Sequence, residues 1–181
     1  MSTTTETKDS GDVSLLEYLD LSQLDCLNEA PDHTLKSILD QKQRNTSSSK
    51  YLVSDADEQL LLNIPFNQSV RVRSIVISGS NGEQAPRLVK IAANRPNLGF
   101  EDIEDAEEPE VAQVLTLQES DVKEGKRITL RFVRFQAVNS LHMFVGSNHG
   151  NTETTRIDSI DIFGVPVETT KDLSGLKKQD E

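Results

Sequence analysis

From Leu60 to Gly164 the chain repeats one device: a short apolar stretch, then a break rich in glycine, asparagine or charge. The stretches read "LLLNIPF", "VRVRSIVIS", "RLVKIAAN", "AQVLTLQ", "RITLRFVRFQ", "SLHMFVGS" and "TRIDSIDIFG". Several alternate apolar with polar, the period of a strand with one buried face. Parallel strands need a crossover of about a dozen residues, usually a helix. No helical pattern of about 10–15 residues lies between these stretches, which argues against βαβ units. An all-β fold remains, an antiparallel β-sandwich or jelly roll.

Details inside the stretches refine this expectation. Pro65 cannot donate to a ladder, so "LLLNIPF" reads as an edge strand or a strand end. In "VRVRSIVIS", Val70 and Val72 alternate with Arg71 and Arg73. From Ser74 the phase shifts, and Ile75 and Ile77 share the parity of the arginines. Such a slip predicts a bulge, or a strand covered on both faces. "RITLRFVRFQ" reads as the strongest strand, with a second slip at Phe132-Val133. "SLHMFVGS" places Leu141, Met143 and Val145 on one face and His142 on the other.

Ahead of the strands, Leu15, Leu16, Leu19 and Leu24 predict one or two helical turns, with Ser14 as N-cap and Glu17 as capping-box partner. "HTLKSILDQ" predicts a second short helical segment and "QKQRNTSSSK" a polar loop. "FEDIEDAEEPEV" carries seven carboxylates between 101 and 110, shows no apolar face and reads as an exposed loop. Residues 1–13 and 171–181 are charged tails expected to be flexible, which leaves one domain over 14–170.

A net charge of −11 repels phosphate backbones and anionic lipid surfaces, so neither nucleic acid nor membrane is an expected partner. No apolar stretch reaches the length of a membrane-spanning helix, and the N-terminus lacks the apolar core of a secretory signal. The expected location is cytosolic and nuclear, and the expected state a monomer.

Candidate chemistry is sparse. Asp55, Asp57 and Glu58 crowd the start of an apolar run, as hard metal ligands do. Calcium needs about six to eight oxygens on a loop turned by glycine, and no such pattern follows. A solvated turn is expected, with Ser54 and Asp55 bonded to nearby backbone. His33, His142 and His149 form no metal or protease motif, and no nucleophile elbow marks a serine. Cys26, the one cysteine, neighbours Asp25, whose charge raises a thiol pKa, so it reads as packing. "GSNGE" lacks the ending of a phosphate loop. No catalytic, cofactor or metal-binding residue is expected.

What remains is a surface. Arg71 and Arg73 on one strand, and Arg127, Arg131 and Arg134 on another, interrupt apolar strands of an acidic chain. Arginine forks suit carboxylates, so these five are the candidate partner-binding residues. The plainer alternative is that they keep an outer sheet face soluble.

Four segments in order, "CLNE", "SDADEQLLLNIPFNQ", "RFVRFQAVNSLHMFV" and "TTRIDSIDIFG" with "PVETT" after it, resemble the PITH domain, the proteasome-interacting thioredoxin domain. The resemblance runs from about Leu15 to Lys178. It implies a galactose-binding-like jelly roll, similar to the Doc1 domain of the anaphase-promoting complex. It implies a non-enzymatic module that docks on the 26S proteasome through its regulatory particle, without catalytic residues or cofactor. The family's redox chemistry belongs to a separate thioredoxin domain with a CxxC pair, which this chain lacks. A stand-alone protein and the C-terminal half of a longer thioredoxin-like chain both fit. The acidic 55–58 segment is then a recurring lip before a core strand. The rival reading is a jelly roll that binds carbohydrate or another small ligand. Against it, the chain has no Trp and two Tyr for a stacking platform.

Overall fold

The structure is a computed structural model that describes residues 11–167. The expected flexible tails lie almost wholly outside these residues. Val13 does not belong to a tail: Val13–Ser14 forms strand β1, paired with the last strand.

The remaining strands are β2 (Asp25–Leu27), β3 (Leu52–Val53), β4 (Leu60–Ser78), β5 (Pro86–Ala93), β6 (Gln113–Thr116), β7 (Ile128–Thr129), β8 (Val138–Asn148), β9 (Arg156–Ile157) and β10 (Ser159–Pro166). Every pairing is antiparallel. The main sheet runs β1-β10-β4-β8-β5-β6, with β2 and β7 also on β4, and β3 pairs with β9 apart from it. The antiparallel all-β expectation therefore holds.

β4 organises the molecule. Two stretches expected to be separate, "LLLNIPF" and "VRVRSIVIS", form this one 19-residue strand. Pro65 ends neither half. It lies opposite Ser140, where the register with β8 slips before Val70. Pro65 needs no ladder donor there, and its carbonyl accepts a bond from the Asp20 amide. The first half of β4 lies against β2 and β8, the second against β10 and β7. The strand thus serves both layers of the sandwich.

The slip at Ser74 is a bulge. Phe163 lies opposite Ser74 and Gly164 opposite Val72, so Arg73 is the extra residue. The main core accordingly takes Val70 and Val72 before the bulge, then Ile75 and Ile77 after it. Leu60, Leu62, Ile64, Val89, Ile91, Leu141, Met143, Val145, Ile160 and Ile162 complete the central layer.

"RITLRFVRFQ" is not the strongest strand. Only Ile128–Thr129 pairs, and Phe132–Phe135 is a 3-10 turn. Leu130 makes the last bond to β4, at the Arg73 carbonyl. The Arg131 amide then turns to the Gln113 side chain, and the Arg134 amide to the Arg131 carbonyl. The apparent slip at Phe132-Val133 is this turn.

The acidic segment is not a free loop either. Phe100–Ile103 is a helical turn, and Ile103, Ala106 and Val111 are buried with Leu98 against Leu61, Ala92 and Phe144. The segment is a lid over the outer face of β4, β8 and β5. The expected N-terminal turns are 3-10 in type, Leu15–Tyr18 and Leu21–Gln23, with Ser14 capping the first. The helix over Leu35–Leu39 is capped by Thr34, as "HTLKSILDQ" predicts.

Candidate docking surface

The acidic lip is tied up in its own turn. Asp57 Oδ1 accepts bonds from Asn28 Nδ2 at 2.8 Å and from the Gln59 amide at 3.0 Å. Asn28, at a positive φ of 71°, accepts the Asp55 amide at its carbonyl and the Ala56 amide at Oδ1. Asn tolerates that left-handed backbone better than most residues. Ser54, buried, exchanges bonds with Thr155 through both its backbone and its hydroxyl. The turn is thus built around Asn28, which the sequence alone did not single out.

Cys26 is buried in the main core. Burial, then the charges of Glu29 and Asp25, push its thiol well above its ordinary range. A nucleophilic cysteine needs the opposite environment.

The three histidines are dispersed. His33 stacks on Tyr51, with centroids 4.1 Å apart, and His149 carries a buried Nε2 without a hydrogen-bond partner among the described residues. His142 is 1% exposed, on the face opposite Leu141 and Met143, as alternation predicts. The Arg95 amide donates to its Nε2 at 3.1 Å. Nε2 is therefore the acceptor, and Nδ1–H donates to Asn63 Oδ1 at 2.7 Å. Burial, then the Arg95 charge, lower its pKa to about 4.

That histidine gives the fold a pH dependence. Its folded pKa lies below its unfolded value of about 6.5, so acid favours the unfolded state. His142 contributes full stability above pH ~6.5 and loses it as pH falls toward pH ~4, by about 3 kcal/mol at most. We expect urea midpoints to fall between neutral pH and pH ~4.5, and His142→Gln to flatten that fall. Equal slopes in the two proteins would contradict the assignment.

The five candidate arginines do not form one open row. Arg73, at the bulge, pairs with Asp12 at 3.2 Å. Arg127 lies 3.7 Å above the Phe163 ring. Arg131 pairs with Glu108, and Arg134 Nη2 donates to the Pro109 carbonyl at 3.2 Å. Arg71 keeps a buried Nε with no hydrogen-bond partner among the described residues. The two strands are neighbours, β7 against β4, but these side chains mostly meet this chain's own groups.

Arg131 and Arg134 instead frame an exposed apolar pair. Phe132 is 58% exposed and Val133 71%, the largest values for large hydrophobic side chains among the described residues. Both ends of their turn are anchored, by Leu130 at 3% and Phe135 at 0%. Glu108 links this knob to the sheet. Its carboxylate accepts the Val114 amide of β6 at 2.8 Å as well as the Arg131 guanidinium. Those contacts, the Val114 bond first and Arg131 next, hold Glu108 below its ordinary pKa. The signal for this site was the adjacent apolar pair between two arginines in "RFVRF".

Comparison with known proteins places these features in context. The PITH domain family matches residues 5–181. Thioredoxin-like protein 1 of Schizosaccharomyces pombe is 42% identical over 160 residues, 87% of this chain. This chain spans 53% of that protein's length. A PITH domain-containing protein of Drosophila melanogaster is 36% identical, covering 83% of this chain and 69% of its own. Human PITH domain-containing protein 1 is 32% identical, over 81% of this chain and 66% of its own. Among solved structures, the family 32 carbohydrate-binding module of Clostridium perfringens NanJ, in complex with galactose, superposes with a TM-score of 0.55. That match covers 84% of this chain and 98% of the module at 14% identity. Identity that low speaks for the galactose-binding-like jelly-roll fold alone.

Proposed function

Because this chain belongs to the PITH domain family, we propose that it is a non-enzymatic interaction module that docks on the 26S proteasome through the regulatory particle. The observation that carries a docking role is the Phe132–Val133 knob, apolar, anchored at both ends and open to solvent. Scattered apolar exposure is ordinary, but two adjacent side chains held outward on a pinned turn suit a binding anchor. In this reading Arg131 and Arg134 hold the knob from behind, while Arg71, Arg73 and Arg127 stabilise the neighbouring sheet. The proposed setting is the cytosol and nucleus, with the chain monomeric.

Two rival activities find less support among the described residues. A redox role needs an accessible thiolate, and Cys26 is buried with its thiol pushed up. A sugar platform needs an open aromatic face. The Tyr51 ring is stacked with His33 and lies 3.7 Å beneath the Arg156 guanidinium, and the exposed aromatic, Phe132, shares its turn with Val133 as the docking knob.

The test uses purified particles. The chain is expected to comigrate with the 26S proteasome on native gels, and not with the isolated 20S core. Absence of comigration with the 26S particle at micromolar concentration would overturn the proposal.

A further inference from the structure

The knob and the acidic segment beside it form one surface, and its chemistry specifies its counterpart. Resting on the docking reading above, we propose that Phe132 and Val133 seat in an apolar pocket of a regulatory-particle subunit whose rim carries lysine and arginine side chains.

The apolar part follows from how the turn is built. A folded chain would bury Phe132 and Val133 if packing alone dictated their places. Instead Leu130 and Phe135 enter the core on either side and hold the pair outward. The Arg131 amide is bonded to Gln113 and the Arg134 amide to the Arg131 carbonyl. A preset anchor loses little conformational freedom on docking.

The charged part follows from which groups are spent. Arg131 is neutralised by Glu108, and Arg134 is turned onto the Pro109 carbonyl. Both bonds fasten the turn to the segment that carries the seven carboxylates. Within that segment Glu108 is bonded to Val114, Asp102 caps the Gly99 amide, and Glu107 lies 3.8 Å from Lys90. Glu101, Glu104, Asp105 and Glu110 are exposed, and their side chains make no hydrogen bond or ion pair among the described residues. The Pro109 carbonyl leaves the Arg134 charge in place, but these four carboxylates outnumber it, so the segment is net negative and favours a basic rim over an acidic one.

Binding kinetics on purified 26S proteasome separate the two parts. One variant carries Phe132→Ser and Val133→Ser. The other carries Glu101→Gln, Glu104→Gln, Asp105→Asn and Glu110→Gln, leaving the bonded acids in place. Thermal melts confirm folding, and Val133→Ser alone replaces the first variant if the pair unfolds. We expect the knob variant to bind about tenfold or more weakly, chiefly through faster dissociation. We expect the neutralised variant to associate several-fold more slowly, with a flatter salt dependence. Wild-type binding with either folded variant unchanged overturns this inference while leaving the docking reading intact. Faster association of the neutralised variant also overturns it, because the rim would then be acidic. Self-association of the wild type that the knob variant abolishes would assign the knob to a second copy of this chain, and overturns it too. No binding by the wild type removes the docking reading, and this inference with it.

Discussion

Gly164→Ala is expected to destabilise this domain by about 3 kcal/mol or more, lowering its melting temperature by roughly 10 °C. The cause is the bulge. With Arg73 as the extra residue on β4, the backbone of β10 at Gly164 comes close against the Arg71 peptide. A Cβ at 164 would fall within the van der Waals shell of the Arg71 carbonyl oxygen, with the Arg71 carbonyl carbon at 2.9 Å and Leu15 Cδ1 at 3.1 Å. The leucine tip can rotate away. The carbonyl cannot, because Val70, Arg71 and Val72 are in register with Pro166, Val165 and Gly164. Relief means opening β4 from β10, and with it the layer formed by Val70, Val72, Ile160 and Ile162. Gly11→Ala serves as the control, since nothing lies within 4 Å of that position. A Gly164→Ala protein that melts with wild type would mean that the two strands do not approach as closely as described.

That bulge was legible in the sequence, whereas the turn at Phe132 was not, and the difference is physical. Alternation reports which side of a strand faces the core, so one extra residue in a well-paired strand reverses the parity of all that follows. Val70, Val72, Ile75 and Ile77 carry that reversal openly. Leu130 and Phe135, by contrast, are buried at a spacing that fits neither a strand nor a long helix. What bends the chain between them is the Gln113 side chain and the acidic segment, both remote in sequence. Pro65 misled for a related reason. A missing donor ends a ladder only where the partner strand continues in register, and here the partner slips at the same place. For the candidate site, composition identified the arginines but not their partners. Asp12, Glu108 and the Phe163 ring are brought to them only by the fold.

Lys90→Met should release the acidic lid while leaving the sandwich folded. In sequence Lys90 is the polar member of "LVKIA", the residue that alternation assigns to solvent. It is 3% exposed. Its Nζ donates to the Glu104 carbonyl at 2.8 Å and the Ala106 carbonyl at 2.6 Å, with Glu107 Oε2 at 3.8 Å. The face is covered because Ile103, Ala106 and Val111 need a surface, and Leu61, Ala92 and Phe144 provide it. Lysine suits this place, since its long stem crosses the apolar layer and its tip meets the carbonyls of a segment without strand partners. Methionine keeps the stem and removes the donors, leaving the half-buried Glu104 carbonyl and the buried Ala106 carbonyl without their partner, at a cost of about 3 kcal/mol. Water reaches the Ala106 carbonyl only if the segment lifts, so the loss should be local. Hydrogen exchange reads this directly. The Glu104, Ala106 and Val111 amides bond within the segment, and they should exchange about a hundredfold faster in the variant. Amides pairing β4 with β10 should keep their protection. Unchanged exchange over Glu104–Val111 would mean that Lys90 does not hold the lid, and equal acceleration in β4 and β10 would mean that the lid is no separate unit. In either case the carboxylates beside Phe132 would owe their position to something other than this lysine.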